Sequence, residues 1–128
     1  MSSTITPFLM FEGRASEALA LYTSLFPGTQ VLHMDREDGE HGMIRAAVVE
    51  LAGQRLRFYD SPAPHAFTFT PALSLFVDCA DEAELRRLHA ALAEGGQELM
   101  PVGNYGFSPL YTWINDRFGV SWQLNVPA

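Results

Sequence analysis

At 128 residues, 48 % of them hydrophobic and 18 % charged, the chain has the balance of a globular protein. It is long enough to bury a core, since a domain near this size hides roughly two-thirds of its unfolded surface. Eight Lys plus Arg against 15 Asp plus Glu leave a net charge of −7, which repels phosphate backbones and anionic membranes, so no nucleic acid and no membrane is expected as a partner. One cysteine excludes an intrachain disulfide, and neither a signal-like start nor an apolar run of about 18 residues is present, so a soluble cytoplasmic protein is expected.

Taken in chain order, Thr6 to Phe11 predicts a strand, and Glu12-Gly13-Arg14 turns into a helix rich in Ala, Leu and Glu that should stop at Pro27-Gly28. Thr29 to Arg36 and Met43 to Leu51 predict strands around a hairpin turn at Glu37-Asp38-Gly39-Glu40, and Arg55 to Asp60 follows the turn at Ala52-Gly53-Gln54. After a connector carrying Pro62, Pro64 and Pro71 the order restarts: a strand at Ala72 to Val77, a helix from Asp81 to about Glu94, and a Gly95-Gly96 stop. Strands at Glu98 to Val102, Leu110 to Asn115 and Val120 to Val126 complete it.

The order is βαβββ twice, which predicts an α+β fold of duplicated modules in a single domain over 1–128, with module 1 at about 4–61, a connector at 62–70 and module 2 at about 71–128. Phe11 and Phe76, Ala15 and Ala80, Glu17 and Glu82, and Ala18 and Ala83 share an offset of 65 positions, which supports gene duplication. Ser16 and Asp81 are the expected helix N-caps, with Glu17 and Glu82 beside the positive helix ends.

Three segments carry a resemblance: Phe69 to Val77, the helix end Ala91 to Gly96, and Trp113 to Leu124 with its two tryptophans and a glutamine. They resemble the PhnB-like branch of the vicinal oxygen chelate superfamily, which includes glyoxalase I, extradiol dioxygenases and antibiotic-resistance binding proteins. That branch often bears the label 3-demethylubiquinone-9 3-methyltransferase. The resemblance implies curved mixed sheets whose concave sides line a cavity and whose convex sides carry the helices, and it implies a homodimer. Methyl transfer is not expected, because the turn after the first strand lacks the glycine-rich loop of a cofactor-binding Rossmann unit.

With helices on the convex side, the alternation of the last strand puts Val120, Trp122, Leu124 and Val126 against the helix and Ser121, Gln123 and Asn125 on the cavity. The same rule puts Leu73, Leu75 and Val77 on the helix side, with Ala72, Ser74 and Phe76 inward, and by the repeat Leu9 and Phe11 inward. Leu56 and Phe58 then pack outward, which directs Arg55, Arg57 and Tyr59 at the cavity. Trp122 belongs to the core on this pattern, whereas Trp113 is equally a core residue or a ligand platform. The expected ligand-binding set is Leu9, Phe11, Arg57, Tyr59, Ser74, Phe76, Trp113, Ser121 and Gln123.

Metal-dependent relatives use four His, Glu or Gln ligands on the first and last strand of each unit. Those positions fall near Pro7, near Arg57 or Phe58, near Ala72, and at Gln123, where only Gln123 could coordinate. No metal and no cofactor is expected. His33 and Asp35 share a strand face at the spacing of a facial triad and would need His41 to complete it. A solvated strand end is the simpler reading. His65 and His89 read as surface residues and Cys79 as a small buried one.

The expected function is therefore metal-independent binding of a small, partly aromatic or apolar molecule. A metal-dependent glyoxalase or dioxygenase is the alternative, weakened because no obvious base faces the expected cavity.

Overall fold

A computed structural model describes residues 2–37, 39 and 42–128. Its element order is β1 (Phe8–Phe11), α1 (Ala15–Leu25), β2 (Gln30–Arg36), β3 (Ile44–Leu51), β4 (Gln54–Asp60), β5 (Ser74–Asp78), α2 (Glu82–Ala93), β6 (Gln97–Gly103), β7 (Leu110–Asn115) and β8 (Ser121–Val126). The chain divides into two compact units, residues 1–68 and 69–128, and each is a βαβββ module around one four-stranded mixed sheet. The sheet orders are β1-β4-β3-β2 and β5-β8-β7-β6. In each, the first and last strands of the unit pair in parallel and the other neighbours are antiparallel.

In the first unit α1 packs on β3 and β4, burying Ala15, Ala18, Leu19, Tyr22 and Leu25 against Ile44, Ala47, Val49, Leu51, Leu56 and Phe58. The Tyr22 and Phe58 rings meet at 6.2 Å. Each large side chain buried this way contributes about 1.5–3 kcal/mol. Leu51 pairs with Gln54 across a two-residue hairpin in which Ala52 (φ 49) and Gly53 (φ 87) both take positive φ, the geometry a tight hairpin of this length requires.

Ser16 does not cap α1. Arg14 occupies the cap position and its side chain does not cap the helix, while Ser16 lies inside the helix and accepts a hydrogen bond from Arg36. The cap comes instead from Asp60 at the end of β4. Its Oδ1 accepts from the Gly13 and Ala15 backbone N–H groups at 2.8 and 3.0 Å, and its Oδ2 accepts from Ile44 N–H at 2.9 Å. One buried carboxyl group thus joins the start of the helix to two strands.

In the second unit α2 buries Leu85, Leu88 and Leu92 on β7 and β8, against Thr112, Ile114, Trp122 and Leu124. Asp81 is the expected N-cap and accepts from Glu84 N–H at 2.9 Å, while the Glu84 carboxyl group accepts from Ala80 N–H at 2.9 Å. Beyond the helix end, Gly96 packs so closely on β7 that a Cβ there would lie 2.1 Å from the Asn115 carbonyl oxygen. Asp116 closes the β7–β8 turn: its Oδ1 accepts from Phe118 and Val120 N–H at 2.9 and 3.0 Å, and its Oδ2 accepts from the Trp122 indole at 3.0 Å. Trp122 is a core residue, as its pattern predicted.

The duplicated element order is observed, but the residue matches at an offset of 65 are not structural equivalents. Ala15 and Ala18 are fully buried in α1, whereas Ala80 and Ala83 are exposed around the start of α2. Strand faces alternate with a period of two, so a match that is out by one residue from the structural equivalence exchanges the faces. Phe76 points away from its helix, and its partner in that match, Phe11, points toward α1. Leu9 and Phe11 therefore lie on the helix side and not inward. Register pairs Leu9 with Phe58 and Phe11 with Asp60, the Phe11 and Phe58 rings stack at 5.8 Å, and both residues are buried. Leu73, expected against α2, precedes β5 and is 70 % exposed.

Candidate functional site

On the face of the second sheet opposite α2, the register brings Ser74 beside Ser121 and Phe76 beside Gln123, and β7 adds Trp113 opposite Gln123 and Tyr111 opposite Asn125. The side chains form two hydrogen-bonded groups. The Trp113 indole donates to Ser121 Oγ at 2.9 Å, and Ser121 and Ser74 hydroxyls share a hydrogen bond at 2.7 Å. The Tyr111 hydroxyl donates to Gln123 Oε1, which leaves the two amide protons of Gln123 as donors. Phe76, exposed, lies 6.5 Å ring to ring from Tyr111, which also packs edge-on against Phe107 at 4.9 Å and Tyr105 at 5.8 Å. Burial, and secondarily the Tyr105 hydroxyl, push the Tyr111 phenol above its ordinary pKa.

Ser121 is on the expected face but buried, under the Trp113 indole that it holds. It positions Trp113 and is not itself a contact surface. Trp113, left open by its sequence context, is half-buried on this face.

On the first sheet the corresponding face carries a row across all four strands, Phe8–Arg57–Val48–His33, followed by Met10 beside Tyr59. The Phe8 and Tyr59 rings meet at 5.7 Å. Arg57 and Tyr59 thus take the face expected of them, but Phe8 and Met10 replace Leu9 and Phe11 as their neighbours. The run Phe8-Leu9-Met10-Phe11 is apolar throughout and has no parity of its own. The signal that identifies Phe8 and Met10 lies in the parallel partner β4, where Leu56 and Phe58 alternate with Arg57 and Tyr59.

His33 and Asp35 share this face, opposite Val48 and Ala46, but Asp35 is engaged by Arg45 at 3.2 Å. His41, the third ligand such a site would need, lies outside the described residues. His65 is exposed, within 2.9 Å of the Ser61 hydroxyl and stacked on Phe67 at 4.8 Å. His89 is half-buried rather than on the surface, joined to Glu98 at 2.7 Å. Cys79 is buried, and that burial pushes its thiol from 9.0 to about 11.

A family model for 3-demethylubiquinone-9 3-methyltransferase matches residues 3–125. The chain belongs to that family. A PhnB protein from Bacillus cereus is 45 % identical, with 97 % of this chain and 99 % of that one covered and a TM-score of 0.90. A Pseudomonas aeruginosa protein is 27 % identical over 98 % of each chain, with a TM-score of 0.80. A glyoxalase/bleomycin resistance protein/dioxygenase domain from Frankia, 15 % identical over 100 % of this chain and 93 % of its own, shares the fold at a TM-score of 0.68. No curated protein matches the chain. This PhnB-like chain therefore has the vicinal oxygen chelate fold.

The residues present do not fit the divalent metal that some proteins of this fold hold. Facing away from the helices on β1, β4, β5 and β8 are Phe8, Met10, Arg55, Arg57, Tyr59, Ser74, Phe76, Asp78, Ser121, Gln123 and Asn125. The one carboxylate, Asp78, accepts from the Asn125 amide at 3.0 Å with no imidazole beside it on these strands, and the amide oxygens of Gln123 and Asn125 already accept from Tyr111 and Ser108. Among the described residues, no group of three or more His, Cys, Asp or Glu side chains gathers elsewhere. No helix among them is long and apolar enough to cross a membrane.

The methyl donor implied by the family's name has no evident seat at the start of α1 either. The Gly13 and Ala15 N–H groups, which a phosphate or carboxylate would use, are already bound by Asp60.

Proposed function

We propose that this PhnB-like protein binds a small, partly aromatic molecule without a metal or cofactor, as a cytoplasmic homodimer, and does not transfer methyl groups. The observation that carries this reading is the makeup of the two faces turned away from the helices. Phe8, Met10, Tyr59, Phe76 and Trp113 supply apolar and aromatic area, and Arg57 and Gln123 supply a few directed donors, the mix that small-molecule sites use. The donor set supports metal independence. The one carboxylate on the outward faces of those four strands, Asp78, is engaged by the Asn125 amide at 3.0 Å, and no imidazole accompanies it there, which favours binding over catalysis.

The test is a thermal-shift screen of small aromatic and quinone-like compounds, run with elemental analysis of the purified protein. A hit that raises Tm in the wild type and loses that shift in Gln123→Ala supports the reading. Stoichiometric bound metal, or dioxygenase or glyoxalase turnover on adding Mn, Fe, Ni or Zn, overturns it.

A further inference from the structure

All eight basic side chains of this chain are arginines, and they face 15 acidic ones, so an arginine here has no shortage of partners. Arg14 pairs with Glu17, Arg45 with Asp35, Arg55 with Glu50, Arg86 with Glu82, Arg87 with Glu84 and Arg117 with Glu94. Arg36 donates to Ser16 and to the Gly42 carbonyl. Among the described residues, Arg57 alone has a guanidinium with no hydrogen bond and no ion pair.

Its position makes that absence informative. Arg57 stands near the middle of the first sheet's face opposite α1, on β4 between β1 and β3. Glu50, on the same face of β3, lies opposite Arg55 and pairs with it, so that carboxylate already has an arginine partner. The positions flanking Arg57 across the strands are Phe8 and Val48, and Tyr59 and Met10 follow on the same face, so no acidic group occupies its immediate row. A guanidinium framed by apolar and aromatic side chains presents its planar fork of donors to whatever lies on that face. The group that matches the fork is a carboxylate, bound through two parallel charge-assisted hydrogen bonds.

We infer that the face of β1 and β4 opposite α1 binds the carboxylate of an anionic aromatic ligand through Arg57. Phe8, Met10 and Tyr59 pack its ring. The inference rests on the small-molecule reading above and narrows it to a class of ligand. It also runs against the net charge of −7, which repels anions at long range, so recognition must come from the local guanidinium and not from the field of the whole protein.

Matched acid and amide pairs, benzoate with benzamide and 2-naphthoate with 2-naphthamide, isolate the charge at nearly constant shape. Titrated into the full chain and followed by amide NMR, the acids should bind about tenfold or more tightly than the amides, the worth of one charge-assisted contact. The perturbed amides should be those of Phe8, Val48 and Tyr59. Arg57→Met keeps the aliphatic stem and should bring the acids down to the affinity of the amides, while Arg55→Met should leave the preference intact.

Equal affinities for acid and amide in the wild type, or a preference that survives Arg57→Met, overturn the anion assignment and leave small-molecule binding standing. A change of oligomeric state in Arg57→Met with no effect on acid binding assigns Arg57 to a protein interface and overturns it too. If neither member of either pair perturbs either sheet face, the small-molecule reading falls with it.

Discussion

In residues 1–68 the helix is held at its start by a side chain from another strand, whereas in residues 69–128 the helix caps itself. Asp60 reaches α1 from the end of β4, 45 positions beyond the Ala15 N–H that it accepts from. Asp81 caps α2 from within three residues of its donor. Both units also bury an aspartate that accepts from three N–H groups, but Asp116 spends its bonds on one turn and on the indole of Trp122. The same topology is thus stabilised by long-range contacts in one copy and by local ones in the other. The faces differ in the opposite sense: the second sheet's polar side chains are bonded to one another, while the Arg57 guanidinium in the first has no hydrogen bond or ion pair.

The largest effect should come from breaking the long-range cap. Asp60→Ala leaves the N–H groups of Gly13, Ala15 and Ile44 without acceptors, at about 1–3 kcal/mol for each buried donor. We expect a loss of about 3 kcal/mol or more in urea unfolding, together with faster hydrogen exchange in the first turn of α1 and little change in α2. Asp116→Ala should lose a similar amount, with faster exchange in the β7–β8 turn and none at α1. Unchanged protection of the α1 first turn in Asp60→Ala would mean that the cap is not what holds it.

This difference explains how much of the molecule was legible beforehand. The order βαβββ repeated and the strand and helix bounds to within two residues followed from the sequence pattern, and the faces of β4, β5 and β8 from alternation, because Leu56 and Phe58 in β4, and Trp122 and Leu124 in β8, interleave with polar residues. Where alternation is missing, in Phe8-Leu9-Met10-Phe11, only the residue match to β5 assigns the face, and that match is one residue out of phase with the structure, which inverts it. The α1 cap was illegible for a related reason. Ser16 is a good capping residue by local rules, but the residue that acts, Asp60, comes next to Gly13 only once β1 and β4 have paired. Arg57 could be placed on its face from sequence, but its lack of a partner is a property of the folded sheet.

A smaller effect should separate the two helix starts. Asp81→Ala removes a local cap and should cost about 1 kcal/mol, whereas Ser16→Ala, which removes no cap, should cost a few tenths. Denaturant midpoints of the two variants, measured side by side, give the comparison. A larger loss for Ser16→Ala than for Asp81→Ala would show that the Arg36–Ser16 contact, and not Asp60 alone, secures α1.

At neutral pH the smallest difference between the units is also the easiest to switch on with alkali. Burial opposes the ionisation of Cys79 and of Tyr111, both in residues 69–128. Below pH 9 the thiol is neutral in both folded and unfolded chains and contributes nothing to the pH dependence. Between 9.0 and about 11 the unfolded chain loses its Cys79 proton and the folded one keeps it, so unfolding is favoured progressively as pH rises through that window. The raised phenol of Tyr111 acts in the same direction at higher pH. Unfolding free energy measured from pH 8 to 11 should therefore decline, and Cys79→Ala should flatten the slope between 9 and 11 whatever its effect on stability at pH 8. A slope identical in Cys79→Ala and wild type would place the alkaline sensitivity elsewhere. At pH 8 the native thiol should also react slowly with a disulfide reagent, and unfolding should release it, since the thiolate is the reactive form.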